Sequence, residues 1–476
     1  MKSLLFAAAL LVAPCVQAQT LQQRVEARLA EAPTGTRFGL VVADESGKEI
    51  VAVNPDGRFM PGSNTKIFTT AAAFASLDTL DQPDAEGGAS VRIEGETVVL
   101  EGHGDARLSS AEDCKTDCLA TLADAVAAKT RRVRDVIGDD SFFPDQRWSP
   151  GMSWNNIPTE SGTGISALTL DDNVLKLTIT PATPGAAPRV ALPGYYRIDN
   201  QAKTVAGDKV ALGYDRDPNG KLVRVSGTIG ADAKPKSWDI GIDDPADYAA
   251  WRLRAMLEAR GVKVTGAVRV HHRPFEPDDG LAVRSDDVVI DVTRRMPELA
   301  QLTPPPFAED LRHINKVSQN LHAELALRRL GHVEGRGSIA DGVAKVGAML
   351  AAAGVPRTAW DLSDGSGMSS YNRIAPRGTV TLLRWIAAQP WGAQWRDTLP
   401  IGGTDGTLTR RFKGTPLEGK LFAKTGTLNA TNALSGYLIA RSGKTLTFSV
   451  LANDIPADAG ATAIMDAVLL TIAEGS

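Results

Sequence analysis

The stretch Ser63-Asn64-Thr65-Lys66 opens a segment from Asn64 to Leu77 whose alanines and threonines predict a helix. A separation of three residues places the side chains of Ser63 and Lys66 on the same face of that helix. A serine hydroxyl is a poor nucleophile at neutral pH, and a lysine that loses its proton through burial or nearby positive charge can act as its base. The pattern also occurs by chance, so the alternative is an N-cap serine followed by a solvated lysine.

A second motif, Ser318-Gln319-Asn320, lies on a stretch with helical periodicity from Glu309 to Leu330. A hydroxyl and an amide two residues apart can relay a proton and hold a substrate amide. On its own the motif could equally be two polar residues on a solvated helix face.

A third motif, Lys424-Thr425-Gly426-Thr427, follows the strand-like run Leu421 to Ala423. A lysine and a threonine hydroxyl can bind a carboxylate, and a glycine lets a substrate lie close to the backbone. The strand can pair with an extended peptide. The alternative is an ordinary strand end.

The ordered set S-x-x-K, S-x-N and K-T-G resembles the signature of class A β-lactamases and penicillin-binding proteins. The long gap between Ser63 and Ser318, and the blocks Asp364 to Asn372 and Leu399 to Thr407, resemble one branch. This is the penicillin-binding protein 4 type of D-alanyl-D-alanine carboxypeptidase/endopeptidase, peptidase family S13. The resemblance implies an α/β (α+β) penicillin-binding-protein/β-lactamase-like transpeptidase domain that is discontinuous and carries β-rich inserted domains.

The resemblance also implies catalytic roles. Ser63 would attack the carbonyl of a D-Ala-D-X bond and form an acyl-enzyme, with Lys66 as its general base. Ser318 would relay a proton to the leaving amine. The backbone N–H groups of Ser63 and Thr427 would form the oxyanion hole.

Substrate-binding roles follow from the same resemblance. Asn320 would position the acyl amide, and Lys424 and Thr425 would bind the terminal carboxylate of a stem peptide or of a β-lactam. Relatives that recognise a diamino-acid side chain have an acidic residue and an arginine where this chain has Asn156 and Ser370. How this protein holds the third stem-peptide residue is therefore open.

Residues from about 85 to 297 contain strand-like runs broken by Gly, Pro, Asp and Asn, and a proline-rich junction follows them. We expect them to be inserted into one catalytic unit. The predicted domain limits are 1–18 for a signal peptide, 19–84 and 298–476 for the catalytic domain, 85–165 and 241–297 for one inserted domain, and 166–240 for a β-rich one.

The first 18 residues predict a secretory signal peptide, since Lys2 precedes an apolar run and Val16-Gln17-Ala18 suits cleavage. Secretion would leave two cysteines, Cys114 and Cys118, and two such thiols often pair in an oxidising compartment. Their short spacing means that a bond between them would add little stability. The expected location is the periplasm.

The 476 residues include 52 Lys and Arg against 56 Asp and Glu, a net charge of −4, which argues against a nucleic-acid partner. No later segment reaches membrane-spanning length. The chain lacks the H-E-x-x-H motif of zinc proteases, so we expect no metal and no cofactor. His322 lies one turn after Ser318, where we expect a surface or packing role.

Two functions remain from the sequence. The first is a serine-type DD-peptidase that cleaves peptidoglycan stem peptides as a carboxypeptidase, an endopeptidase or both, and that β-lactam antibiotics acylate. The second is a β-lactam-binding sensor or weak β-lactamase with the same acylation machinery. The E-x-x-L-N segment that supplies the deacylating glutamate of class A β-lactamases is absent, which argues against efficient β-lactam hydrolysis. A homodimer is plausible by family.

Overall fold

The computed structural model describes residues 19–280 and 297–476. The predicted signal peptide lies outside the described residues. Residues 281–296, before the predicted domain boundary at 298, also lie outside them. Within the described ranges, no helix has the length and apolar character needed to cross a membrane.

The chain alternates helices and strands, and the longest helices come from its two ends and from one stretch of the insert. The helices are α1 (Leu21–Leu29), α2 (Thr65–Ser76), α3 (Leu119–Lys129), α4 (Pro245–Ala259), α5 (Phe307–Val317), α6 (Asn320–His332), α7 (Ile339–Ala352), α8 (Pro376–Ala387), α9 (Gly392–Arg396) and α10 (Thr462–Gly475). The strands are β1 (Arg37–Ala43), β2 (Glu49–Val53), β3 (Ser90–Glu94), β4 (Thr97–Glu101), β5 (Arg132–Val133), β6 (Val136–Pro144), β7 (Val174–Thr180), β8 (Arg189–Ala191), β9 (Arg197–Asn200), β10 (Lys203–Val205), β11 (Val210–Asp215), β12 (Leu222–Gly230), β13 (Lys236–Gly241), β14 (Lys263–Val264), β15 (Val268–Arg273), β16 (Ala300–Gln301), β17 (Trp360–Asp361), β18 (Arg373–Ile374), β19 (Leu421–Leu428), β20 (Thr431–Ile439) and β21 (Thr445–Asn453).

A five-stranded antiparallel sheet in the order β19-β20-β21-β1-β2 joins the two ends of the chain. Side chains alternate between its faces, as they must along a strand. On β21, Phe448 and Val450 pack with α1 and α10, whereas Leu451 packs with α2 and α8 on the opposite face. The sheet therefore lies between two helical layers.

The residues between β2 and β19 form further sheets. The largest has the order β15-β6-β4-β3-β16, and its core is shared with α3 and α4 through residues such as Leu122 and Leu253. Smaller sheets have the orders β13-β7-β8 and β10-β12-β11, with β9 beside β12. The predicted limits between the inserted domains stay a prediction.

Two local features differ from the expectation. The helix predicted from Glu309 to Leu330 is interrupted, because Ser318 takes a left-handed backbone conformation with φ 66° and ends α5. The third motif lies within β19 rather than at the end of a strand. Together they bring the Ser318 hydroxyl and the Lys424 amine into contact at 2.9 Å.

Two cysteines of the insert are joined. Cys114 and Cys118 form a disulfide across a separation of four residues, just before α3. The loop that it closes is short, so the chain-entropy contribution of the bond to stability is at most about 2 kcal/mol.

Candidate active site

Ser63 lies in a single 3-10 turn, Gly62–Asn64, immediately before α2. Its side chain is half-buried, whereas Lys66, one turn further along, is fully buried. The Lys66 ammonium nitrogen lies 2.9 Å from the Ser63 hydroxyl oxygen. The predicted spacing of three thus brings the two side chains into hydrogen-bond contact.

Lys66 has two further partners from distant parts of the chain. Its Nζ donates to Asn320 Oδ1 at 2.7 Å and to the backbone carbonyl of Ser366 at 2.7 Å. Burial lowers the pKa of Lys66 to about 7, against the opposing attraction of the Asp364 and Glu324 carboxylates. A lysine with this pKa is substantially neutral at physiological pH and can accept a proton from the serine.

The second serine of the site is held by the second buried lysine. Lys424 Nζ donates to Ser318 Oγ at 2.9 Å and to the carbonyl of Thr425 at 2.9 Å. Burial, and then the nearby charge of Lys66, lower the pKa of Lys424 well below its usual value. The left-handed backbone at Ser318 places its hydroxyl at the corner between α5 and α6, facing β19.

The 3-10 turn and β19 are packed closely together. The Asn64 side-chain amide donates to the carbonyl of Lys424 at 2.8 Å. A Cβ on Gly426 would lie 2.4 Å from the carbonyl oxygen of Pro61, and one on Gly62 would lie 3.0 Å from the amide nitrogen of Thr427. Gly62 has φ +50°, so both space and conformation favour glycine there.

Thr425, the second residue of the third motif, is half-buried on β19. Its hydroxyl lies 2.8 Å from the hydroxyl of Thr407, the last residue of the block that begins at Leu399. Two neighbouring hydroxyls beside a lysine can receive a carboxylate. The sequence predicts no role for Thr407 and no contact between it and Thr425.

A buried carboxylate that sequence reasoning missed lies behind Lys66. Glu324, one turn along α6 from Asn320, accepts hydrogen bonds from the amides of Gly365 at 3.0 Å and Ser366 at 2.9 Å. Burial and the neighbouring Asp364 raise the pKa of Glu324. Glu324 thereby holds the short segment whose Ser366 carbonyl receives Lys66. The only signal in the sequence is the spacing of four from Asn320, which is too common to single it out.

The insert also reaches the site. The Asn320 side-chain amide donates to the carbonyl of Ser161 at 3.3 Å. The backbone amide and hydroxyl of Ser370 both donate to the carbonyl of Gly151, at 2.9 and 2.8 Å. Trp154 and Tyr371, beside these contacts, are 71% and 62% exposed. They are therefore open to a ligand.

The two adjacent histidines, His271 and His272, each lie beside a carboxylate. His271 lies 3.2 Å from a carboxylate oxygen of Asp139, and His272 lies 2.8 Å from one of Asp140. Within residues 19–280 and 297–476, no cluster of three or more His, Cys, Asp or Glu side chains could hold a metal ion.

Known proteins resemble this chain in sequence. Residues 21–473 match the model of the D-Ala-D-Ala carboxypeptidase 3 (S13) family. A D-alanyl-D-alanine carboxypeptidase of Actinomadura sp. (strain R39) is 32% identical over 95% of this chain and 84% of its own length. A D-alanyl-D-alanine carboxypeptidase DacB of Haemophilus influenzae is 23% identical over 88% of this chain and 86% of its own length.

A solved structure has the same fold. The crystal structure of penicillin binding protein 4 (dacB) from Haemophilus influenzae superimposes with a TM-score of 0.77, at 20% identity, over 94% of this chain and 97% of that one. The predicted family, fold class and serine DD-peptidase function are confirmed. The chain belongs to the D-Ala-D-Ala carboxypeptidase 3 (S13) family and is a serine-type DD-peptidase.

Proposed function

We propose that Ser63 is the nucleophile of this peptidase and that Lys66 is its base. The observation that carries the proposal is the 2.9 Å contact between the Ser63 hydroxyl and a fully buried amine whose pKa is about 7. Lys66 Nζ takes the hydroxyl proton as Ser63 Oγ bonds to the carbonyl carbon of a D-Ala-D-X bond. The resulting tetrahedral oxyanion lies against the backbone N–H groups of Ser63 and Thr427.

Collapse of the tetrahedral intermediate needs a proton on the leaving amine. Ser318, which is in contact with Lys424 at 2.9 Å, relays it: its hydroxyl donates a proton to the amine, and the proton that Lys66 took from Ser63 restores the hydroxyl. The C–N bond breaks, the amine leaves, and an ester on Ser63 remains. Water then hydrolyses the ester, which restores the serine and releases the shortened stem peptide.

Substrate binding uses both sides of the cleft. Asn320, whose amide oxygen already accepts from Lys66, holds the acyl amide of the donor peptide. The terminal carboxylate lies at Lys424 and Thr425. In the described part of the chain, strand-type pairing on the outer edge of β19 is limited to the bridge between Ile401 and Phe422, near its start. An extended peptide can add to that edge from Lys424 to Thr427.

The cellular setting follows from the substrate. Peptidoglycan stem peptides lie outside the cytoplasmic membrane, and the first 18 residues predict secretion, so we place the enzyme in the periplasm. β-Lactam antibiotics are expected to acylate Ser63 because their carboxylate and strained amide suit the same groups. A homodimer stays a prediction, and light scattering of the purified protein would test it.

Two incubations test the proposed function. With a pentapeptide ending in D-Ala-D-Ala, the wild-type protein should release D-Ala. With labelled penicillin, it should form a long-lived covalent adduct. The Ser63→Ala variant should do neither. Penicillin labelling with no release of D-Ala and no cleavage of crosslinks would instead favour the sensor. Mass spectrometry of muropeptides before and after treatment would separate carboxypeptidase from endopeptidase activity.

A further inference from the structure

Three consecutive residues of the insert, Asp171, Asp172 and Asn173, have left-handed backbones with φ 52°, 53° and 52°. Residues other than glycine rarely take this conformation, although Asp and Asn tolerate it best. Three in succession persist only where the surroundings hold them. Each of the three side chains bonds a different part of the molecule.

Two of the three side chains hold the insert itself. Asp171 accepts from the amide of Ser110 at 2.7 Å and from its hydroxyl at 2.5 Å. The buried amide of Asn173 donates to the carbonyl of Gly164 at 2.9 Å. These bonds tie the turn to the interior of the insert.

The middle side chain reaches the catalytic unit instead. Asp172 Oδ1 lies 2.8 Å from Nε2 of His322, on the first turn of α6. His322 is only 4% exposed, and its Nδ1 lies 2.7 Å from Asp310 Oδ1 on α5. Asp310 also accepts from Arg107 Nε of the insert at 3.2 Å. The imidazole therefore joins α5, α6 and the insert at one point.

The charges around this imidazole keep it a cation. Burial disfavours the charged form, but Asp310 and Asp172 outweigh it and raise the pKa of His322 to about 10. His313 on α5 and Arg107 of the insert also face this group. Both contacts of His322 are thus charge-assisted, which makes them stronger than neutral hydrogen bonds.

The position of His322 links this bridge to the reaction. It lies two residues after Asn320 and four after Ser318, and Ser318 is the left-handed residue at which α5 turns into α6. The His322–Asp310 contact spans that corner from one helix to the other. The angle between α5 and α6 at this corner determines where the Ser318 hydroxyl meets Lys424 and where Asn320 meets Lys66.

We propose that Asp172 is a positioning residue for the reaction: through His322 it holds the α5–α6 corner that carries Ser318 and Asn320. One task of the insert is then to keep the second motif in place. The proposal rests on the proposed function, because it assigns Ser318 and Asn320 to catalysis and binding. Displacement of a catalytic group by about 1 Å can slow a reaction by about a hundredfold.

The test compares two neighbouring glycine variants, since glycine keeps the left-handed backbone and removes only the side chain. Asp172→Gly should slow acylation by labelled penicillin about tenfold and lower kcat for the pentapeptide, with KM changed less. Asp171→Gly is the matched control. It loses bonds within the insert, so its melting temperature should fall at least as far, yet it should be acylated at nearly the wild-type rate.

A double variant checks the route through His322. If Asp172 acts through the imidazole, Asp172→Gly combined with His322→Gln should be no slower than the slower single variant. Wild-type acylation at Asp172→Gly, equal slowing by both glycine variants, or fully additive effects would overturn the proposal. A wild-type protein that is not acylated at all would instead refute the proposed function.

Discussion

The amine of Lys66 and the hydroxyl of Ser63 lie 2.9 Å apart, with the lysine fully buried and the serine half-exposed to the cleft. Burial favours the neutral amine, and contact with the hydroxyl gives that amine a proton to accept. The same arrangement links the reactivity of the site to pH, since an ammonium group cannot act as the base.

The rate of acylation should fall on the acid side as Lys66 takes up a proton. The pKa of Lys66 is lowered to about 7, so the rate should be high at pH 8 and decline through pH 7 to a low value near pH 5. Second-order rates of labelling by penicillin across this range provide the measurement. A rate that is constant from pH 5 to pH 8 would show that Lys66 is not the base.

Replacing Glu324 by Gln should shift the fall of the acylation rate on the acid side, the acid limb of the pH profile, to lower pH. The Glu324 carboxylate favours the charged form of Lys66, so its loss should lower the pKa of the lysine further. Glu324 also lies 3.6 Å from the buried Arg328, and breaking such a pair costs about 3–5 kcal/mol of stability. The pH profile of acylation, measured well below the melting temperature, separates the two effects. An unmoved acid limb would contradict the assigned influence on Lys66.

The two lysines and two serines of the candidate site could be predicted from the sequence, because each belongs to a motif of a few consecutive residues. Ser63 and Lys66 needed only helical spacing, and the order of the motifs indicated the family. The contact between Lys66 and Asn320 could be expected only from the resemblance, since it joins residues 254 positions apart.

Other parts of the site had no local signal. The left-handed conformation of Ser318 is not apparent in a stretch whose periodicity runs through it, because tertiary contacts to Lys424 and α6 override helix propensity there. Glu324 acts through its burial, and Asp172 acts through its contact with His322, 150 positions away in the chain. Their spacing resembles that of many solvated carboxylates, so only packing distinguishes them.

Replacing Thr425 by Val should weaken binding of substrates that carry a terminal carboxylate. The change removes a hydroxyl from the carboxylate site, and a hydrogen bond to a charged group is worth about 1.5–3 kcal/mol, so KM should rise about tenfold or more. Thr407→Val is the matched control, since it removes the other hydroxyl of the 2.8 Å pair and should have a smaller effect. Steady-state release of D-Ala measures both. Equal KM values for wild type and Thr425→Val would argue against this assignment.

Replacing Gly426 by Ala should impair both stability and acylation. The new Cβ would lie 2.4 Å from the carbonyl oxygen of Pro61, so the turn that carries Ser63 would have to move away from β19. Such overpacking costs about 1–3 kcal/mol. Gly194→Ala is the control, because nothing lies within 4 Å of a Cβ there. Thermal unfolding and penicillin labelling report the two effects, and a Gly426→Ala protein indistinguishable from the control would contradict the close packing.

The central claim is that Ser63, activated by Lys66, forms the covalent intermediate. Mass spectrometry of the intact protein after brief exposure to penicillin, followed by mapping of the modified peptide, tests it most directly. We predict a mass increase of one penicillin, located on Ser63 and absent from the Ser63→Ala variant. An adduct on another residue, or one that persists in Ser63→Ala, would contradict the account.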